Sequence, residues 1–300
     1  MNEVVIGAAN VSKHFGRMTA VDNVSVQIRQ GEIYGLIGRN GAGKTTLLRM
    51  LAGLSRPSEG RVYIAGKNDQ PLHVGCLIEM PGIYTNLSGR DNLELKRKAL
   101  GIQDKTLSDQ LLEMVGLRVY ARMKTRAYSL GMRQRLGLAM AMMGDPDILI
   151  LDEPANGLDP QGIAELRRLI LKIHEEKGTT MIISSHQLDE LSKVANVFGI
   201  MDNGRLLEET TEEKMRNSLM ASVRIMAEPI DEAKAVLNER EIFGYQVEGS
   251  TIILLEKMDQ VDDILRTMLE RGIHVISCLP QYDSLEDYFL KVVKEAEYHE

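Results

Sequence analysis

The sequence predicts an α/β protein, a mostly parallel sheet layered with helices, followed by a small α+β unit. Three observations carry this. Short apolar runs alternate with helix-spaced segments up to about Glu209, a glycine-rich turn sits between one such run and a helical segment, and the pattern changes after about Thr210.

The elements follow in chain order. Met1 to Ala9 has no basic segment ahead of an apolar core and does not read as a secretory leader. Glu32-Ile-Tyr-Gly-Leu-Ile37 is short, continuous and apolar, as a strand buried on both faces must be, and Leu47–Leu54 then shows helical spacing. Val74–Ile78 reads as a further strand. From about Ser88 to Met143, β-like runs are few while Leu, Met, Lys and Arg are frequent, which predicts a helical insertion. Ile148–Leu151 and Thr180–Ile183 are again buried strands, with a helix over Gly162–Glu175 between them. Val197–Leu207 carries Asp202-Asn203-Gly204 between apolar runs, a hairpin signal because Asn-Gly tolerates the positive φ of a type I′ turn. Later strands are expected at Ser222–Met226, Tyr245–Glu248, Thr251–Leu255 and His274–Cys278, and helices at Ile230–Asn238, Val261–Glu270 and Leu285–Ala296. The expected organisation is therefore a core domain over 1–215, with a helical subdomain over about 88–143, and an accessory α+β domain over 216–300.

Composition narrows the function classes. With 300 residues, 44% hydrophobic and 26% charged, the chain has the balance of a globular protein of two domains. Tryptophan is absent and aromatics make up 4%, so the core is aliphatic, and the 17 methionines read as flexible core filler. A net charge of −7 without a Lys/Arg block argues against nucleic acid as partner. Cys76 and Cys278 lie far apart in strand-like runs, with no metal-ligand spacing, and are expected as buried free thiols. No stretch reaches the ~20 apolar residues of a membrane span.

The strongest local signal is Gly38-Arg39-Asn40-Gly41-Ala42-Gly43-Lys44-Thr45, with Thr46 next, after a strand and opening a helix. That is the context of a phosphate-binding P-loop. Its glycines let several N–H groups point at one anion, and the helix N-terminus adds its dipole. Lys44 supplies a charge for the β- and γ-phosphates of a nucleotide, and the Thr45 hydroxyl suits magnesium. A second element ends the strand Ile148-Leu-Ile-Leu-Asp152-Glu153. Asp152 is placed to hold the metal through water, and Glu153 to act as general base on the attacking water.

Between these lies Tyr128-Ser129-Leu130-Gly131-Met132-Arg133-Gln134-Arg135, which resembles the signature sequence of ABC ATPases in a Ser-x-Gly-Met form. The order agrees with that family: P-loop, signature, Asp-Glu, then Asn156-Gly157-Leu158-Asp159 like the D-loop, then His186 like the switch histidine. Phe15 in Lys13-His14-Phe15-Gly16 resembles the aromatic that stacks on adenine. The resemblance covers about residues 3 to 210. It implies a P-loop ABC ATPase core with an antiparallel β subdomain and the helical subdomain. It also implies that Ser129, Leu130, Gly131 and Met132 contact the γ-phosphate of ATP held by a second subunit, so that a head-to-tail homodimer completes two sites. His186 is then the γ-phosphate sensor beside the catalytic Glu153.

One position departs from the family. Where a Gln usually reaches the metal, Ile78-Glu79-Met80-Pro81-Gly82 stands, a form resembling the ATPases of bacitracin-resistance and lantibiotic-protection exporters. The resemblance puts Glu79 in the Gln role as a charged magnesium or water ligand; a solvent-facing Glu without metal contact is the other reading. It further implies separate membrane permease subunits as partners, docked where the loop Glu79–Asn92 lines a groove, and a place on the cytoplasmic face of the membrane. Export of a drug or antimicrobial peptide rests on the resemblance alone, since nothing in such a subunit contacts cargo. The accessory domain could brace the dimer, regulate it or contact another protein. Two rivals stand beside this reading: a soluble ABC ATPase of translation or DNA maintenance, and a non-hydrolysing ATP-dependent sensor. The single P-loop and the roughly eighty residues between Thr46 and Tyr128, without sustained heptads, disfavour the first. Glu153 and His186 disfavour the second.

Overall fold

The computed structural model describes residues 3–67, 70–282 and 284–298, so Met1, Asn2, His299 and Glu300 of the expected spans lie outside the described residues. The chain divides into two compact units after Glu212.

The first unit opens with a feature the sequence did not localise, two strands of twelve residues each. Strands β1 (Val4–Phe15) and β2 (Met18–Arg29) form an antiparallel hairpin. Val24, Val26 and Ile28 of β2 are buried while Ser25 and Gln27 between them are exposed, the period of two that lets a strand face a core on one side. Strand β3 (Ile33–Ile37) follows, all five residues buried, and leads through the glycine-rich turn into α1 (Lys44–Leu51). Strand β4 (Glu59–Ile64) pairs with β1, giving a three-stranded sheet in the order β2-β1-β4. The short β5 (Gly66–Lys67) and β6 (Gln70–Pro71) pair with each other ahead of β7 (Val74–Leu77).

The helical insertion comprises α2 (Gly89–Ala99), α3 (Leu107–Met114) and α4 (Leu130–Ala141), with 3-10 turns at Arg118–Tyr120 and Thr125–Ala127. Ser88 starts α2 with a capping box: its hydroxyl accepts from Asp91 N–H while Asp91 accepts from Ser88 N–H. Leu93, Leu111, Leu112, Leu136 and Leu138 are buried there.

The chain then returns to the main sheet with β8 (Ile148–Asp152), α5 (Pro160–Lys177), β9 (Thr180–Ser185), α6 (Leu188–Leu191), β10 (Val197–Asp202) and β11 (Arg205–Thr211). Helix α5 buries Leu166, Leu169, Ile170 and Ile173, an i, i+3, i+4, i+7 stripe. Six strands lie in the order β11-β10-β3-β9-β8-β7, parallel except for the β10–β11 hairpin. Asn203 and Gly204 at that hairpin have φ of 45° and 82°, the two left-handed residues of a type I′ turn. One buried cluster joins Tyr34, Leu36, Leu47, Leu48, Ile150, Ile182 and Met201, so α1 is clamped to the sheet that ends at the phosphate loop.

The second unit begins one residue into α7 (Glu212–Leu219) and continues with β12 (Met220–Glu228), α8 (Ile230–Glu239), β13 (Tyr245–Glu248), β14 (Thr251–Leu254), α9 (Val261–Glu270), β15 (His274–Tyr282) and α10 (Leu285–Tyr298). Its sheet runs β13-β14-β12-β15 with every neighbour antiparallel. Strands β12 and β13 flank β14, and β14 and β15 flank β12, so the unit is two interleaved βαβ crossovers of the ferredoxin-like kind. Val223, Ile225, Ala233, Leu237, Ile252, Leu254, Ile264 and Met268 make its core.

Both cysteines are free, and both are half-buried rather than buried. The reason is their strand positions: β7 and β15 are edge strands of their sheets, covered on fewer sides than a central strand. Among the described residues no helix is long and apolar enough to cross a membrane.

Candidate active site

The phosphate loop occupies the turn between β3 and α1, and its neighbours dictate glycine. A Cβ on Gly38 would stand 2.3 Å from the Met201 carbonyl oxygen, and one on Gly43 2.3 Å from that of Ala20. Gly43 also has a φ of 99°, which L side chains rarely adopt. The Gly204 N–H of the β10–β11 turn donates to the Ala42 carbonyl at 3.0 Å, bracing the loop from outside. Gly43 occupies the N-cap of α1 and has no side chain to accept from the first N–H groups. A helix start left uncapped in this way is a receptor for an anion. Arg39, Asn40 and Gly41 are exposed at the tip, Gly38 and Ala42 are buried, and Thr46 is half-buried on α1.

Beneath the loop the strand ends converge. Lys44 is 5% exposed; its Nζ donates to the Gly38 carbonyl at 2.6 Å and the Arg39 carbonyl at 3.1 Å, and stands 3.3 Å from Glu153 Oε1. The Thr45 hydroxyl donates to Asp152 Oδ2 at 2.8 Å. Asp152 is 4% exposed and closes β8. Glu153 turns out of the strand with a φ of 47°, which swings its carboxylate toward Lys44 and His186. The His186 Nδ1 is 2.7 Å from Glu153 Oε2, to which it donates. Glu153 Oε1 is buried and accepts no hydrogen bond from the protein: the Lys44 ammonium is at ion-pair distance but out of hydrogen-bond line. Five residues drawn from three separate stretches of sequence thus share one polar cluster, with Lys44 and Asp152 buried, Thr45 and Glu153 half-buried and His186 exposed.

The signature residues form a second group. Ser129 is exposed at the N-cap of α4, where its hydroxyl accepts from Met132 N–H at 3.2 Å. Asp159 caps α5 in the same manner, accepting from Gly162 N–H at 3.0 Å. Ser129, Leu130, Gly131, Gln134, Leu158 and Asp159 are among the residues lining an open cleft of about 450 Å³. No residue of the phosphate loop lines it. Gln134 is 6% exposed, and its Oε1 accepts no hydrogen bond. Met132 is half-buried on the same helix turn.

Two further residues stand apart. Phe15 ends β1 and is 52% exposed, with the Lys13 ammonium 5.3 Å from its ring centroid. Glu79 follows β7 with a φ of 59° and pairs with Arg49 of α1 at 2.9 Å, so the structure groups it with the end of α1 rather than with Thr45 and Asp152.

Sequence reasoning passed over Ser184. It is fully buried in β9, its hydroxyl donates to Asp152 Oδ1 at 2.6 Å, and the same oxygen accepts from Glu153 N–H at 2.9 Å. The only signal was a serine directly after the apolar run Met181–Ile183.

Known proteins resemble the chain at every level. The family model described as ABC transporter matches residues 21–156. The bacitracin transport ATP-binding protein BcrA of Bacillus licheniformis is 38% identical over 297 residues, 96% of this chain and 97% of the relative. The lantibiotic transport ATP-binding protein SrtF of Streptococcus pyogenes is 38% identical over 225 residues, 72% of this chain and 97% of its own. Among solved structures, a dimeric bacterial ABC transporter cassette superposes with a TM-score of 0.63 at 25% identity, covering 69% of this chain and 98% of that one.

Proposed function

Since the chain belongs to the ABC transporter family, as an ATP-binding and ATP-hydrolysing subunit, we propose that it works as a head-to-tail homodimer driving separate membrane permeases. One observation carries the chemistry: Lys44, Thr45, Asp152, Glu153 and His186 are joined in one cluster beneath the loop. Lys44 exchanges the Gly38 and Arg39 carbonyls for the β- and γ-phosphates of ATP, which the N–H groups of Gly41 to Thr46 also meet. Phe15 stacks on the adenine. Water attacks the γ-phosphorus, the bond to the ADP oxygen breaks, and Glu153 Oε1 takes the water proton. His186 steadies that carboxylate through Oε2.

The donor set fits magnesium. The Thr45 hydroxyl and the Asp152 carboxylate are hard oxygens side by side, the first suited to ligate the ion and the second to hold it through water, and among the described residues no group of three or more His, Cys, Asp or Glu is placed to cage a metal. Magnesium is the ion that takes few protein ligands and completes its shell with phosphate and water, where it neutralises developing charge. Glu79 would join this set only by leaving Arg49.

The open signature cleft supports the dimer. Ser129, Gly131 and Asp159 face out of the chain and are supplied to the nucleotide of the partner, which a two-fold arrangement satisfies for both sites at once. A solved structure of similar fold is dimeric. The names of the relatives, bacitracin and lantibiotic transport ATP-binding proteins, favour a peptide antibiotic as cargo, and the use of ATP argues for the cytoplasmic face of the membrane as the place of work.

The test is Glu153→Gln. Steady-state ATPase should fall by ~10²–10⁴, and light scattering should show a dimer that forms only with ATP. Undiminished hydrolysis, or a monomer at saturating ATP, refutes the composite site.

A further inference from the structure

We infer that Ser184 is a positioning residue for hydrolysis, binding the metal-side carboxylate and the general base into one unit. The inference rests on the roles proposed above for Asp152 and Glu153. Strand β9 lies between β3 and β8, and Ser184 stands level with Asp152 on one side and Leu36 on the other. The neighbouring Met181, Ile182 and Ile183 are the aliphatic residues that a fully covered parallel strand favours. A serine at the next position sacrifices apolar burial, and its hydroxyl has to be satisfied.

That hydroxyl is satisfied by the two residues of the site and by nothing else shown. Its proton goes to Asp152 Oδ1 at 2.6 Å, and its lone pair receives Glu153 N–H at 2.9 Å. The Ser184 carbonyl accepts the same N–H at 3.2 Å. The bonds come at the point where the backbone leaves the extended strand for the left-handed φ of 47° at Glu153. A bulky L residue holds that conformation only where its surroundings over-determine it. Here the left-handed turn is what carries the Glu153 carboxylate to Lys44 and His186.

Asp152 therefore has one hydroxyl on each oxygen, Thr45 on Oδ2 and Ser184 on Oδ1. Ser184 fixes the rotation of Asp152 and the backbone of Glu153 through the same atom, so a shift of one is felt by the other. Lys44 bonds to the Gly38 and Arg39 carbonyls and Thr45 to Asp152, so the hydrogen bonds of the α1 N-terminus run to groups other than Ser184. Hydrolysis should depend on this hydroxyl, and ATP binding should not.

Ser184→Thr and Ser184→Val have nearly the same shape and differ by the hydroxyl, and Ser184→Ala is the variant that cannot be too large for the strand. The full chain with ATP and magnesium should show kcat lower by roughly ten- to a hundredfold in the Val and Ala variants, with nucleotide affinity changed by less than about threefold. The Thr variant should retain wild-type kcat to within about threefold. In a Glu153→Gln background, Ser184→Ala should add little to the loss, because residues that act as a unit are not additive. Equal activity of the Thr and Val variants, an Ala variant with unchanged kcat, or full multiplication with Glu153→Gln overturns the inference. Those results would leave the role of Glu153 standing, whereas an active Glu153→Gln single variant removes the premise.

Discussion

The phosphate loop and the signature cleft belong to the same unit, yet they are built in opposite ways. Around the loop, Lys44 and Asp152 are 5% and 4% exposed and the polar side chains hold one another. Around the signature, Ser129 and Asp159 are exposed, and each is bonded only to the first turn of the helix it caps. The first arrangement holds its polar groups in place without any ligand, and on the roles proposed above such preorganisation is where electrostatic catalysis draws its strength. The second offers a helix start and its dipole to something outside the chain. On the roles proposed above, the contrast means that this subunit would own a complete acid–base apparatus but an incomplete binding site.

The strongest way to break that contrast is Ser129→Arg, which fills the cleft without touching the loop. ATP affinity of the isolated chain should stay within about threefold, while hydrolysis falls by ~10², the cost of losing a donor aimed at developing charge. Nucleotide titration and steady-state ATPase on the same preparation provide both numbers. Parallel loss of affinity and turnover would mean that the loop and the cleft serve one nucleotide within a single chain.

Legibility in the sequence follows the same division between local and long-range causes. Gly38 to Thr46 could be read because the loop, the strand before it and the helix after it are contiguous. The Asn203-Gly204 turn was legible because two left-handed residues in succession demand those residue types. The helices and strands of the second unit were visible from their periods. Their order β13-β14-β12-β15 was not, since strand neighbours are chosen by pairing across dozens of residues. Strands β1 and β2 escaped for a related reason. Asn10 and Asn23 have φ of 50° and 49°, and the β1–β2 register shifts on either side of Val11, so the period of two is interrupted. Ser184 was illegible because its meaning lies in Asp152 and Glu153, some thirty positions away and adjacent only through the sheet. The half-buried state of Cys76 and Cys278 likewise follows from which strands form the sheet edges.

A second prediction concerns what holds the signature in place. Helices α2 and α3 pack against α4, whose first turn Ser129 caps. They are tied together by Glu94, which accepts from Arg97 Nη2 at 2.9 Å and from Ser108 Oγ on α3 at 2.6 Å. The Arg97 and Ser108 hydrogen bonds hold the Glu94 carboxyl well below its usual range, at about 2. A folded-state value below the unfolded one stabilises the fold fully above pH ~4.5, and the contribution fades as pH falls through about 2. Glu94→Gln should cost about 2 kcal/mol at pH 7 and flatten the pH dependence in that window. Hydrogen exchange should find the loss concentrated in α2 to α4. Uniform loss across the parallel sheet would show that the insertion has no separate stability.

The smallest effect is expected at Glu79, on the loop that follows β7. The Arg49–Glu79 pair is half exposed on both sides, 45% and 56%, and spans 2.9 Å. Water screens such a pair, so Glu79→Gln should change stability by no more than ~1 kcal/mol. Its effect on the ion should exceed its effect on the fold. A neutral amide keeps the shape of the side chain and its oxygen ligand but loses the charge, so half-maximal ATPase should need about tenfold more magnesium, the lower end of what an impaired metal partner costs. Arg49→Gln frees Glu79 without altering it, and should leave the magnesium requirement unchanged or lower it. If both variants shift the magnesium requirement upward equally, the pair matters as a brace between α1 and the loop after β7, and Glu79 is no ligand. If only Glu79→Gln shifts it, the carboxylate leaves Arg49 during turnover, and nucleotide binding at the buried group is then felt at the exposed loop that follows β7.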